Sequence, residues 1–120
     1  RFGSKLNSVF EIDENCLNAE IPNMILQPLY ENAIKYGVYE ATEPVEIKTT
    51  AKCNEEFLQV TIGNPYDANI SSKRGEGIGL RNIRDRLQII YANPYLLKFE
   101  DNKKEFTVTL TIPQKTKQNV

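Results

Sequence analysis

Residues 75–87 read Gly75-Glu76-Gly77-Ile78-Gly79-Leu80-Arg81-Asn82-Ile83-Arg84-Asp85-Arg86-Leu87, and upstream of them stands Glu31-Asn32-Ala33-Ile34-Lys35. Three glycines at alternate positions let the backbone approach an anion closely, and the helix that follows points its unpaired N–H groups and positive dipole end at the same place. A polyphosphate suits such a turn. The glycines alone are equally consistent with a plain turn, because the run lacks the GK[ST] ending of a Walker loop. It also departs from GxGxxG, which follows a strand directly.

Working outward, residues 79–92 have the repeat of an amphipathic helix, with Ile83, Leu87, Ile90 and Tyr91 inward and Arg81, Arg84, Asp85 and Gln88 outward. Asn93-Pro94 stops it. Upstream, Pro22 is placed to open a helix on which Ile25, Leu26, Leu29, Ala33 and Tyr36 share a face, with Gly37 at its end. Pro28 conflicts with a continuous helix there, since an interior proline costs about 3 kcal/mol, so a kink or a fresh start is expected near Gln27. Residues 6–12, 45–53, 57–62, 95–100 and 105–112 read as strands, the second and third joined as a hairpin around Asn54-Glu55 and the last two around residues 101–103. Residues 63–75 read as a loop. The order β-α-β-β-α-β-β predicts an α/β (α+β) two-layer sandwich, a mixed and mostly antiparallel sheet covered on one face by helices.

The 120 residues, 40% of them hydrophobic, suffice for one core without a disulfide or structural metal. The expectation is a single domain over residues 1–113 and a frayed polar tail over 114–120. The chain opens on Arg1 rather than Met, so a fragment of a longer protein is expected. Fifteen basic against sixteen acidic residues leave a net charge of −1 with no long basic run, which argues against nucleic acid as a partner. No apolar stretch approaches the roughly 18 residues of a membrane span, so the fragment itself is expected to be soluble. Cys16 and Cys53 have no metal-ligand spacing and are read as free thiols, with a disulfide as the minority reading for an oxidising compartment. The absence of histidine excludes a His-based triad, an ordinary zinc site and a phosphohistidine within this chain.

Asn32 falls at the rim of the first helix's apolar stripe, where a polar group is costly unless something satisfies it. Two readings stand. Its side-chain oxygen helps hold Mg²⁺ against phosphates, with Lys35 as charge partner and Glu31 as an outer acceptor or solvated acid, or it caps the neighbouring loop.

The run Ile21-Pro22-Asn23-Met24-Ile25-Leu26-Gln27-Pro28-Leu29-Tyr30-Glu31-Asn32-Ala33-Ile34-Lys35-Tyr36-Gly37 resembles the N box of the LytS-like branch of sensor histidine kinases. Their catalytic ATP-binding (HATPase) domains belong to the GHKL superfamily, the Bergerat fold. Gly75 to Leu87 is similar to the G2 box and its helix, and the resemblance covers nearly the whole chain in order and spacing. It implies a two-component kinase domain using ATP and Mg²⁺. Asn32 matches the Mg²⁺-binding asparagine, Lys35 the basic residue meeting the phosphates, and Gly75, Gly77 and Gly79, with Ile78 between them, the phosphate loop. Leu80 would open the helix facing the β- and γ-phosphates, while Lys73 and Arg74 are phosphate contacts or solvated charges. Glu31 and Lys35 are the catalytic candidates. The resemblance also implies partners: a histidine on a dimerisation helix of the same parent chain, and a response regulator downstream. The implied parent is a membrane-anchored homodimer in the cytoplasmic membrane, with this domain in the cytoplasm.

Two departures matter. The superfamily's adenine-reading DxGxG stretch is here Asn64-Pro65-Tyr66-Asp67, so Asn64 stands where the aspartate would, with Asp67 as a substitute or a turn residue. An asparagine can accept from the adenine amino group and donate to a ring nitrogen. Superfamily members that hydrolyse ATP carry a glutamate one helical turn before the metal asparagine, and Pro28 holds that position. That favours positioning ATP for another nucleophile over hydrolysis. A nucleotide-binding pseudokinase or interaction module of the same fold is the rival reading.

Overall fold

The computed structural model describes residues 6–22, 24–35, 45–65, 78–102 and 104–114. Five strands, β1 (Leu6–Ile12), β2 (Val45–Cys53), β3 (Phe57–Pro65), β4 (Leu97–Asp101) and β5 (Glu105–Pro113), form one sheet in the order β1-β2-β3-β5-β4. β1 runs parallel to β2 and every other pairing is antiparallel. Two helices, α1 (Leu26–Ala33) and α2 (Ile78–Tyr91), supply the second layer, so the mixed two-layer architecture is as expected.

Alternation makes the sheet one-sided. Val45, Ile47, Thr49 and Ala51 of β2, Leu58, Val60, Ile62 and Asn64 of β3, and Phe106, Val108, Leu110 and Ile112 of β5 are all buried. Their alternate neighbours are more exposed. Ile25, Leu29 and Ala33 on the first helical segment, with Leu80, Ile83 and Leu87 on α2, close the core from above. Both hairpins use the same turn chemistry. The Asn54 side-chain oxygen accepts from the N–H groups of Glu56 and Phe57 at 2.8 Å, and that of Asn102 accepts from Lys104 at 2.9 Å and Glu105 at 2.7 Å.

The first helix begins at Leu26, not at Pro22. Pro28 is then its third residue, inside the first turn, where a missing N–H breaks no intrahelical bond. The restart near Gln27 is therefore real, and Met24, with φ of 65°, turns the chain into it. Ile34 and Lys35 continue α1 as a wider turn; Tyr36 and Gly37 lie outside the described residues.

α2 departs from expectation on its outer turns. Ile90 is 46% exposed rather than inward. Arg84, expected outward, is half-buried and donates from Nη1 to the Pro94 carbonyl at 3.0 Å. Ala92 leaves the helix at φ of 55°, and the Asn93 side chain caps a short 3₁₀ turn, Pro94–Leu96, by accepting from the Tyr95 N–H at 2.9 Å. β4 consequently starts at Leu97. β3 runs through Pro65, so residues 63–65 belong to a strand, not to the expected loop.

Cys16 and Cys53 are not free thiols. They form a disulfide with Cα atoms 5.3 Å apart. The 37-residue separation hid this, because only the parallel pairing of β1 with β2 brings the end of the 3₁₀ turn Glu14–Cys16 beside the end of β2. Gln114, the first residue assigned to the tail, is held: its N–H donates to the Glu56 carbonyl at 2.7 Å. Its side chain exchanges two hydrogen bonds with the Glu20 backbone at 2.8 and 2.9 Å.

Candidate functional site

The described candidate residues stand on three elements. α1 carries Glu31, Asn32 and Lys35, the start of α2 carries Ile78, Gly79 and Leu80, and the end of β3 carries Asn64. α1 is seated by Leu29 and Ala33 in the core and by a bond between the Tyr30 hydroxyl and the hydroxyl of buried Thr49 on β2, 2.7 Å long. α1 also packs against α2. Arg86 of α2 donates from Nη1 to the Met24 carbonyl at 2.8 Å, pinning the turn into α1 to the second helix.

Asn32 is half-buried at the edge of the α1 stripe, while Glu31 and Lys35 are exposed. Its Nδ2 is buried and has no hydrogen-bond partner among the described residues. An unsatisfied buried amide costs about 1–3 kcal/mol, a penalty that a bound polar group removes. Among the described residues no group of three His, Cys, Asp or Glu side chains can hold a metal. A cation here would draw on the Asn32 amide oxygen, phosphate oxygens and water, the pattern Mg²⁺ favours over an all-protein cage.

At the start of α2, Leu80 is 1% exposed and anchors the helix in the core. Gly79 is exposed, and a Cβ placed on it would meet nothing within 4 Å among the described residues. Packing among the described residues does not require this glycine. Asn64 is 1% exposed and lies opposite Phe106 of β5. Its Nδ2 donates to the Pro65 carbonyl at 3.2 Å, which spends one amide hydrogen locally and leaves the side-chain oxygen as an acceptor. Asp67, Lys73, Arg74, Gly75 and Gly77 lie outside the described residues. Pro28 occupies the first turn of α1, so the position one turn before Asn32 supplies no carboxylate.

Sequence reasoning did not find the Tyr30–Thr49 bond, the Arg86 clamp or the disulfide, all of which join distant segments. It also missed an apolar groove of about 320 Å³ between β1, β2 and α1, bordered by Phe10, Ile12, Cys16, Ile21 and Tyr30. The alternation of Phe10 and Ile12 along β1 was its available signal.

No family model matches the chain. It is 36% identical over 118 residues to the sensor histidine kinase YesM of Bacillus subtilis, covering 94% of this chain and 20% of that protein. It is 29% identical over 128 residues to the sensor protein LytS of Staphylococcus haemolyticus, covering 97% of this chain and 22% of that protein. The chain thus spans about a fifth of the length of these curated relatives. Among solved structures, the nucleotide-free catalytic domain of histidine kinase ThkA superposes with a TM-score of 0.66 at 20% identity, over 93% of this chain and 82% of that one. ThkA in complex with the response regulator TrrA gives 0.59 at 20% identity, over 94% and 35%.

Proposed function

Since the chain belongs to the catalytic domains of LytS-like sensor histidine kinases, we propose that it binds Mg²⁺-ATP between α1 and α2 and presents the γ-phosphate to a histidine outside the sequence given. The buried Asn32 Nδ2, which has no hydrogen-bond partner among the described residues, is the observation that carries this reading, since it is a donor that a phosphate oxygen or a metal-bound water would satisfy. Asn32 would hold the metal through its side-chain oxygen, and Lys35 would lie toward the phosphates. The first N–H groups of α2, with Gly75, Gly77 and Gly79, would receive phosphate oxygens, and Arg74 and Lys73 would add charge. Asn64, or Asp67, would accept from the adenine amino group.

ATP supplies the transferable phosphoryl group, and the metal offsets its charge. This chain's part is alignment and water exclusion, which carry most of the catalysis in phosphoryl transfer. With Pro28 in place of a carboxylate, α1 offers no base to activate water, so appreciable ATP hydrolysis by the chain alone is not expected. Its partners are then a histidine-bearing dimerisation helix of the parent and a response regulator, the latter in line with the ThkA–TrrA complex. We place the domain in the cytoplasm and its parent, a homodimer, in the cytoplasmic membrane; no described helix is itself long and apolar enough to cross one.

Calorimetric titration with Mg²⁺-ADP tests the site. Wild type should bind, and Asn32→Ala should lose at least tenfold in affinity while remaining folded. Tight binding that is indifferent to the substitution removes the metal role. The pseudokinase reading has one specific support, Asn64 in the place of an aspartate with part of its amide spent on Pro65. Nucleotide binding without acid-labile phosphate on the full-length parent would favour it.

A further inference from the structure

Cys16 closes the 3₁₀ turn after β1, and Cys53 is the last residue of β2. Their Cα separation of 5.3 Å lies in the ordinary range for a bonded pair. The backbone keeps them adjacent independently of the bond. The Asp13 N–H donates to the Ala51 carbonyl at 3.0 Å, and the Cys16 N–H donates to the Asp13 carbonyl at 2.9 Å. Both cysteines pack against the edge of the main core, and a chain of this size does not depend on a disulfide to bury that core. Both cysteines are half-buried, and Cys16 borders the groove whose outer wall, Phe10 and Ile12, is 59% and 49% exposed.

A bond that is reachable, pre-positioned and not needed to hold the core has the attributes of an exchanging disulfide rather than a permanent staple. We propose that Cys16 and Cys53 are a reversible thiol–disulfide site that exchanges with small thiols and disulfides of the glutathione class. On oxidation, one cysteine thiolate attacks the sulfur of the small-molecule disulfide and displaces one thiol. The second cysteine then attacks the mixed disulfide and displaces the other. Two protein S–H bonds and one small-molecule S–S bond are consumed, one protein S–S bond and two thiols are formed, and two electrons pass to the small molecule.

The closed loop of residues 16–53 contains α1 and therefore Asn32. With the bond open, the segment leading into α1 is held by the Glu20–Gln114 pair and the Arg86–Met24 bond, but no longer covalently by β2 at Cys16. The redox state thereby sets how firmly α1 is seated. This conclusion does not depend on nucleotide binding.

The test equilibrates the chain in glutathione buffers from fully reduced to fully oxidised, quenches with acid, alkylates with a maleimide and reads intact mass. Both cysteines should become protected together in one two-thiol step. The unfolding constant in urea should rise roughly a hundredfold in the reduced form, and amide exchange in α1 should speed by at least that factor, with β3 and β5 following the global change. A Cys16→Ser/Cys53→Ser double variant should show the reduced pattern in every buffer. Thiols that stay open in all buffers, a bond that survives all of them, a lasting mixed disulfide on one cysteine, or α1 exchange equal in both forms would each overturn the proposal.

Discussion

Asn32→Leu should make the protein more stable and, at the same time, unable to hold nucleotide. The amide Nδ2 is buried without a partner among the described residues, so the ligand-free fold carries a desolvation cost of about 1–3 kcal/mol. Leucine has a similar volume, removes that cost and extends the apolar stripe of Leu29 and Ala33. Fitting its branched end into a half-buried site returns part of the gain, typically less than about 1.5 kcal/mol for a swap of similar size. The net expectation is about 1 kcal/mol of stabilisation, or a Tm rise of about 3–6 °C for a domain of this size. Urea unfolding of wild type and variant, with the slope compared, measures the first effect, and Mg²⁺-ADP calorimetry measures the second, at least a tenfold loss. A variant destabilised by more than about 1 kcal/mol would refute the reasoning, because the amide would then be engaged in holding the fold.

Three further outcomes follow from particular contacts. Gly79→Ala meets no atom and favours the helix, so it should add about 0.5–1 kcal/mol to stability while weakening Mg²⁺-ADP binding, read by thermal melting and titration. Tyr30→Phe strands the hydroxyl of buried Thr49 and should cost about 1–3 kcal/mol in urea unfolding, most of which Tyr30→Phe/Thr49→Val recovers. The Tyr91 phenol is pushed above its usual value by burial and then by the charge of Glu20. Its contribution to stability is complete below pH 10 and falls as pH rises through the folded value, since the unfolded tyrosine ionises first. Glu20→Gln should lower the Tyr91 midpoint, followed by NMR of carbon-labelled tyrosine.

The fold was legible where one residue reports its own environment. In β2, β3 and β5, strict alternation marks the buried face because only one side of this sheet is covered, and Asn54 and Asn102 mark turns through bonds to their own neighbouring backbone. The candidate site was half legible: Asn32 stood out as a polar residue at the rim of an apolar stripe, whereas Asn64 was singled out only by the resemblance, in a stretch read as loop that β3 in fact runs through. What an isolated pattern could not show was that Ile90 is left exposed on α2, or that Pro28 sits harmlessly in a first turn.

By itself, then, the sequence determined the order and type of the elements, the core face of β3 and β5, and the pairing of an asparagine-bearing helix with a glycine-led one. Those properties follow from local periodicity and turn chemistry. Only the tertiary structure decided that the Asn32 amide is an orphan, that Tyr30 docks on Thr49, that Arg86 holds Met24, and that Cys16 meets Cys53. Each of these turns on which distant segment becomes a neighbour, and that is set by sheet order and the packing of helices on it.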